Sequence, residues 1–134
     1  MSNLFKQFFF LISIWNGLLL QGQLQLNQIS HINGLSQNTV NSIIQDNDGF
    51  LWIATYNGIN KYDGYSMDYY DLTNNHLTSN LIHSLFKDND GNIWAGTPES
   101  GINRINPNTK KTLAFFNNSL NSSLISSFKK IDNS

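Results

Sequence analysis

The chain repeats itself. Leu35 through Thr55 aligns without a gap on Leu77 through Thr97 at an offset of 42 residues. One inserted residue near Ser100 then sets Gly58-Ile59-Asn60 against Gly101-Ile102-Asn103 at an offset of 43. The identical pairs include Leu35/Leu77, Asn38/Asn80, Asp46/Asp88, Gly49/Gly91, Trp52/Trp94, Thr55/Thr97 and Asn60/Asn103. Self-similarity at a fixed period of this size marks an architecture of stacked units, each of which buries its apolar face only against a neighbour.

Turn chemistry divides each unit into short segments. Val40–Gln45 reads as a strand, and Asp46-Asn47-Asp48-Gly49 as a tight turn ending on a residue that accepts positive φ. A second strand follows over Phe50–Thr55, with Leu51, Ile53 and Thr55 on one side and Trp52 and Ala54 on the other. Tyr56-Asn57-Gly58 turns the chain into a third strand, Ile59–Tyr62, and Asp63-Gly64 into a fourth, Ser66–Tyr70. The second unit repeats the pattern with Leu81–Lys87, Asn92–Gly96, Ile102–Asn106 and Lys111–Phe116. Four short strands in about 42 residues, with no helical period, have the dimensions of one propeller blade. The expected fold is therefore all-β: a partial β-propeller of about two four-stranded antiparallel blades plus the start of a third. Trp52 and Trp94 are expected to fill the wedge between neighbouring sheets, each burying about 150–250 Å². Asp46 and Asp88 are expected to hold the turn corners by accepting backbone N–H groups.

The expected organisation is a signal peptide over 1–22 and a lead-in strand over 23–34. Blade repeats follow over 35–76 and 77–119, and a truncated start of a third over 120–134. In that last piece Leu120 to Phe128 matches Leu77 to Leu85, but Ile131 stands where the signature Asp should fall. A partial gene product is the expectation there, and sequencing the DNA just downstream is the check.

The N-terminus carries one basic residue, Lys6, before thirteen uncharged, mostly apolar positions from Phe8 to Leu20. That is signal-peptide length, well short of the roughly 20 residues that span a bilayer, so a periplasmic or secreted location and no stable membrane span are expected. Aromatic residues at 13% and hydrophobic residues at 40% exclude a disordered chain. A net charge of −1 supplies no basic field for a phosphate backbone, so no nucleic-acid partner is expected. Cysteine is absent, which excludes disulfides and thiolate metal sites.

The run Asn33-Gly34-Leu35-Ser36-Gln37-Asn38-Thr39-Val40, the signature Gln45-Asp46-Asn47-Asp48-Gly49-Phe50-Leu51-Trp52-Ile53-Ala54-Thr55 and the closing Tyr56-Asn57-Gly58-Ile59-Asn60-Lys61-Tyr62-Asp63-Gly64 resemble the two-component regulator propeller repeat. The resemblance covers about residues 24 to 128. It implies the periplasmic sensor region of a hybrid two-component histidine kinase, in which the propeller responds to glycan fragments. The parent would carry an Ig-like domain, a membrane helix, a kinase, a receiver and a DNA-binding domain, none of which has a motif in this sequence. A carbohydrate ligand would be met through the full-length parent. The alternative is a structural or protein–protein propeller with no small ligand.

The residues carry no catalytic arrangement. Asp46-x-Asp48-Gly49 and Asp88-x-Asp90-Gly91 invite calcium, but an EF-hand's twelfth position falls on Asn57 or Glu99 and no helices flank the loops. The sialidase Asp-box separates its Asp and Gly by one residue and places Ser or Thr before the Trp, whereas Asp48 and Gly49 are adjacent and Leu51 precedes Trp52. His31, His76 and His83 lack metal-ligand spacing, and Glu99 beside Pro98 makes no acid–base couple. No catalytic residue, metal ligand or cofactor is assigned, and no ligand-binding residue is singled out. Tyr56, which could stack on a sugar ring, is expected to pack between blades. Two open-ended blades leave apolar faces uncovered, so self-association is expected for the chain alone.

Overall fold

The structure, a computed structural model, describes residues 28–115; the expected signal peptide and the start of a third unit lie outside them. A 3₁₀ turn at His31–Asn33 precedes eight strands. The strands are β1 (Val40–Gln45), β2 (Leu51–Thr55), β3 (Gly58–Tyr62), β4 (Met67–Tyr70), β5 (Ser84–Lys87), β6 (Ile93–Gly96), β7 (Ile102–Ile105) and β8 (Thr112–Phe115). They form two antiparallel four-stranded sheets in sequential order, β1-β2-β3-β4 and β5-β6-β7-β8. These are two propeller blades.

All eight expected blade strands are present, and seven differ in extent by a residue or more, while the described part of the expected lead-in strand holds the 3₁₀ turn instead. The largest difference is at β5, expected from Leu81 and observed from Ser84. Ile82 is drawn to the neighbouring blade instead: its N–H donates to the Thr55 carbonyl (3.1 Å), and its carbonyl accepts from the Asn41 side-chain amide, while the His83 N–H already bonds the Gly96 carbonyl of its own blade. The chain crosses between blades at Ile82, so that residue's hydrogen bonds are spent on the connection and not on a ladder.

Register decides what each sheet presents. Residues paired across an antiparallel ladder share a face. Ile44 pairs with Trp52, Trp52 with Lys61, Ala54 with Ile59 and Ile59 with Tyr70, which puts Trp52, Ala54, Ile59 and Tyr70 on one face of the first blade. In the second blade Leu85 pairs with Ala95 and Ile93 with Ile105. These two faces meet, and with Leu77 and Ile82 they form one buried core. The expected alternation along β2 holds, but both of its faces are buried: Trp52, Ile53, Ala54 and Thr55 are all covered, because Leu35 and the lead-in shield the other side.

Gly58 opens β3 at φ +88°, in the left-handed region, and a Cβ there would collide with the Tyr70 carbonyl oxygen. Both constraints demand glycine at this turn.

Tyr70 is fully buried on Trp52, with ring centroids 5.0 Å apart, and its hydroxyl has no hydrogen-bond partner among the described residues. Burial first, then the nearby Asp68 and Asp46 charges, pushes its pKa up to about 12. The same register position in the second blade holds Phe115, opposite Ile102 as Tyr70 is opposite Ile59. Tyr70→Phe is therefore expected to stabilise the chain by about 1 kcal/mol at neutral pH, because an unpaired buried hydroxyl carries a desolvation cost. Since the folded pKa lies above the unfolded value, Tyr70 ionisation leaves stability unchanged below pH about 10 and weakens the fold increasingly as pH rises toward 12. Urea melts of both proteins across pH 8–12 check this: the alkaline loss should shrink in Tyr70→Phe.

Candidate functional site

At one end of each sheet an aspartate organises a corner. In the β1–β2 turn the Asp46 carboxylate accepts the Asp48 N–H (3.0 Å) and the Phe50 N–H (2.9 Å) through Oδ1. Its Oδ2 accepts the Trp52 indole N–H at 2.8 Å. The Lys61 ammonium lies 3.7 Å from the same Oδ2 and 4.1 Å from the centre of the Phe50 ring. The β5–β6 turn repeats the three bonds to the carboxylate: Asp88 accepts from Asp90 N–H, Asn92 N–H and the Trp94 indole, the last again at 2.8 Å, and the Asn92 amide adds a bond of its own. Burial pushes the Asp88 carboxyl up, but the bonds from Trp94, Asn92 and Asp90 outweigh it and leave the pKa below the ordinary value. Sequence reasoning assigned these carboxylates to the backbone corner and missed the indole. Both oxygens are engaged by donors, as befits a turn lock. Among the described residues no group of three or more His, Cys, Asp or Glu side chains is arranged to hold a metal ion.

At the opposite end of each sheet a buried amide ties the incoming chain to the blade and a threonine closes the adjoining turn. The Asn60 Oδ1 accepts the Ser36 N–H and its amide donates to Ser36 Oγ; Asn103 does the same with Thr78. Thr55 donates to the Gly58 carbonyl and accepts the Asn57 N–H, as Thr97 does with Gly101 and Ser100. Asn60 and Asn103 were overlooked from sequence although the signal was there: an identical polar pair inside a strand has to be satisfied if the strand is buried.

Beside this end of the first blade lies an open cleft of about 310 Å³. His31, Ser36, Asn57, Tyr69 and Asp71 line it around Leu35. The lead-in is held against β4 by the Tyr69 hydroxyl, which donates to the Gly34 carbonyl, and the His31 Nδ1 lies 3.0 Å from the Leu35 carbonyl. Hydrogen bonds from the Thr73 hydroxyl and the Asn74 and Thr73 N–H groups hold the Asp71 carboxyl below the ordinary carboxylate range. The volume is at the lower end of the range of small-molecule sites, and the lining mixes one apolar floor residue with several polar groups. Tyr56, expected between blades, stands half-exposed on the β2–β3 turn beside Asn57. Its turn is bonded to Asn80 of the connection between the blades through the Gly58 N–H, and Tyr56 is not among the residues of the buried core. His31 and His76 are exposed and His83 is half-buried, in three separate settings, and Glu99 is exposed on the β6–β7 turn.

The sheets, their corner locks and the lead-in ties define a β-propeller blade repeat used twice. Residues 34–57 and 76–99 match the family model of the two component regulator propeller. The extracellular domain of BT3049 from B. thetaiotaomicron, assigned to the hybrid two component systems, is 32% identical with a TM-score of 0.63 over 69% of this chain. A second extracellular domain from that organism, of BT4673, is 31% identical with a TM-score of 0.54 over 68% of the chain. Histidine kinase P4 of Formosa agariphila is 49% identical over 39 residues, which are 29% of this chain. The chain spans 14% and 13% of the two solved domains and 3% of the kinase. Among the described residues no helix is long and apolar enough to cross a membrane.

Proposed function

We propose that the chain forms part of an extracytoplasmic, ligand-sensing β-propeller of a two-component regulator that responds to carbohydrate in its parent protein. The observation that carries the reading is the pair of regulator propeller repeats, in a chain that superposes on the extracellular domain of a protein assigned to hybrid two component systems. The resemblance to a family whose propellers respond to glycan fragments supports the ligand class. The polar cleft beside Asn57 and Asp71, with the exposed Tyr56 ring nearby, supplies the amide, carboxylate and aromatic surface that a sugar's hydroxyls and ring face require. The apolar segment Phe8–Leu20 supports export, and residues 1–22 fused to a reporter enzyme active only outside the cytoplasm test it.

Binding to the folded state alone raises apparent stability, by about 2.7 kcal/mol at a ligand concentration of 100 Kd. A thermal-shift screen of the chain against neutral and acidic oligosaccharides is expected to find one class that raises the Tm. Asn57→Ala is expected to remove that shift without lowering the Tm of the unliganded chain, since the exposed Asn57 amide makes only a 3.5 Å contact with Asn80. If no saccharide shifts the Tm while a purified protein partner does, the propeller is an interaction module and the sensor reading fails.

A further inference from the structure

A glycine directly follows an asparagine at two described positions, Asn33-Gly34 and Asn57-Gly58. Glycine has no side chain to shield its backbone nitrogen, which can therefore reach the Cγ of the preceding asparagine. Attack there closes a succinimide ring. The N–Cγ bond forms, the Cγ–NH₂ bond breaks, and the glycine N–H proton leaves with the amide nitrogen as ammonia. Water then opens the ring at either carbonyl, giving aspartate or, with the main chain rerouted through the side chain, isoaspartate.

The fold treats the two pairs unequally. The Gly58 N–H donates to the Asn80 carbonyl of the inter-blade connection at 2.6 Å, the Gly58 carbonyl accepts from Thr55 Oγ1, and the Asn57 N–H donates to the same Oγ1. Gly58 is also buried against the Tyr70 carbonyl oxygen. Swinging its nitrogen toward the Asn57 Cγ breaks the bond to Asn80 where backbone packing leaves no room for the movement. The Gly34 N–H makes only a bond of 3.2 Å to the His31 carbonyl inside its own turn, and the atoms closest to a Cβ there are side-chain atoms of Tyr69 and Met67. The Asn33 Oδ1 accepts the Ser30 hydroxyl at 2.9 Å, a donor on the oxygen that gains negative charge as the ring closes.

We propose that Asn33 is a site of spontaneous modification, deamidating through Gly34 to isoaspartate and aspartate, while the blade connection protects Asn57. Isoaspartate adds one methylene to the main chain just ahead of Gly34, whose carbonyl accepts the Tyr69 hydroxyl, and of the buried Leu35. The product therefore loosens the lead-in beside the cleft and sets a negative charge where a neutral amide stood. The inference rests on turn geometry and is independent of the sensor reading.

Incubating the chain at mildly alkaline pH, in native buffer and in concentrated urea, and following both sites by peptide mass spectrometry tests it. Exchange of NH₂ for OH adds one mass unit, and an isoaspartate methyltransferase labels the rerouted product. In native buffer Asn33 is expected to react at least about tenfold faster than Asn57, a barrier difference of about 1.4 kcal/mol. In urea, where only local sequence acts, the two rates are expected to converge. The modified chain, separated by anion exchange, is expected to melt below its parent. Equal rates in native buffer overturn the proposal. So does a preference for Asn33 that persists in urea, which would make sequence and not fold its cause. A modified chain with the parent's Tm overturns the loosening of the lead-in.

Discussion

Trp52→Ala is expected to cost about 3–5 kcal/mol, whereas Trp94→Ala, at the equivalent position, is expected to cost about 1–2 kcal/mol. The two residues share a register position, a hydrogen bond to an aspartate at 2.8 Å and a basic residue over the ring. They differ in what lies against them. Trp52 has no exposed surface and is enclosed by Tyr70, Ile59 and the apolar face of the second blade, so truncation leaves a cavity that packed sheets on both sides cannot collapse. Trp94 is only half-buried, stacked on Phe115 at 5.5 Å, and its open side lets the remaining groups and solvent adjust. Urea denaturation followed by circular dichroism, at concentrations where the chain is a single copy, measures both. A domain's whole stability is about 5–15 kcal/mol, so Trp52→Ala is expected to leave little folded chain at 37 °C. Equal losses at the two positions would mean that blade stacking is not what buries Trp52.

The comparison also marks how far the sequence could be read. Strands and turns were legible because Asp46–Gly49 and Asp88–Gly91 punctuate short apolar runs, and local turn chemistry does not depend on the neighbours. The wedge role of Trp52 was legible for the same reason: a flat apolar ring in the second strand of a repeated sheet must go between sheets. The unequal burial of the two tryptophans was not, because it depends on which face has a partner, and the identical local sequence says nothing about that. The start of β5 at Ser84 escaped as well, since Ile82, in the middle of the β-compatible run Leu81-Ile82-His83, is claimed by bonds to Thr55 and Asn41 of the other blade. Tyr56, expected between blades, is 51% exposed on the β2–β3 turn, because packing depends on which neighbour a turn meets and not on the ring itself. In the cleft, Ser36 and Asn57 lie 21 positions apart in sequence and Asp71 further still; only the lead-in folding back along β4, secured by Tyr69 on Gly34, brings them together.

Asp46→Ala is the second large effect, expected at about 3–5 kcal/mol, the range for removing one partner of a buried charged network. Its carboxylate is covered, and its loss strands the Trp52 indole N–H in an apolar wedge, unpairs the Phe50 and Asp48 N–H groups and leaves the Lys61 ammonium, whose side chain is 13% exposed, without its anion. Asp46→Asn separates these contributions. An amide placing its oxygen at Oδ1 keeps the turn bonds, but its NH₂ then faces the indole N–H, donor against donor, and Lys61 gains nothing. In a Trp52→Phe background there is no indole N–H to oppose, so Asp46→Asn is expected to cost less there than in the wild type. The difference measures the carboxylate–indole coupling, expected at about 0.5–3 kcal/mol. The same cycle at Asp88 and Trp94 is expected to give a smaller coupling, because that bond is only part-buried and water can take the place of the lost partner. A coupling near zero at Asp46 would reduce the aspartate to a turn former and leave the tryptophan held by packing alone.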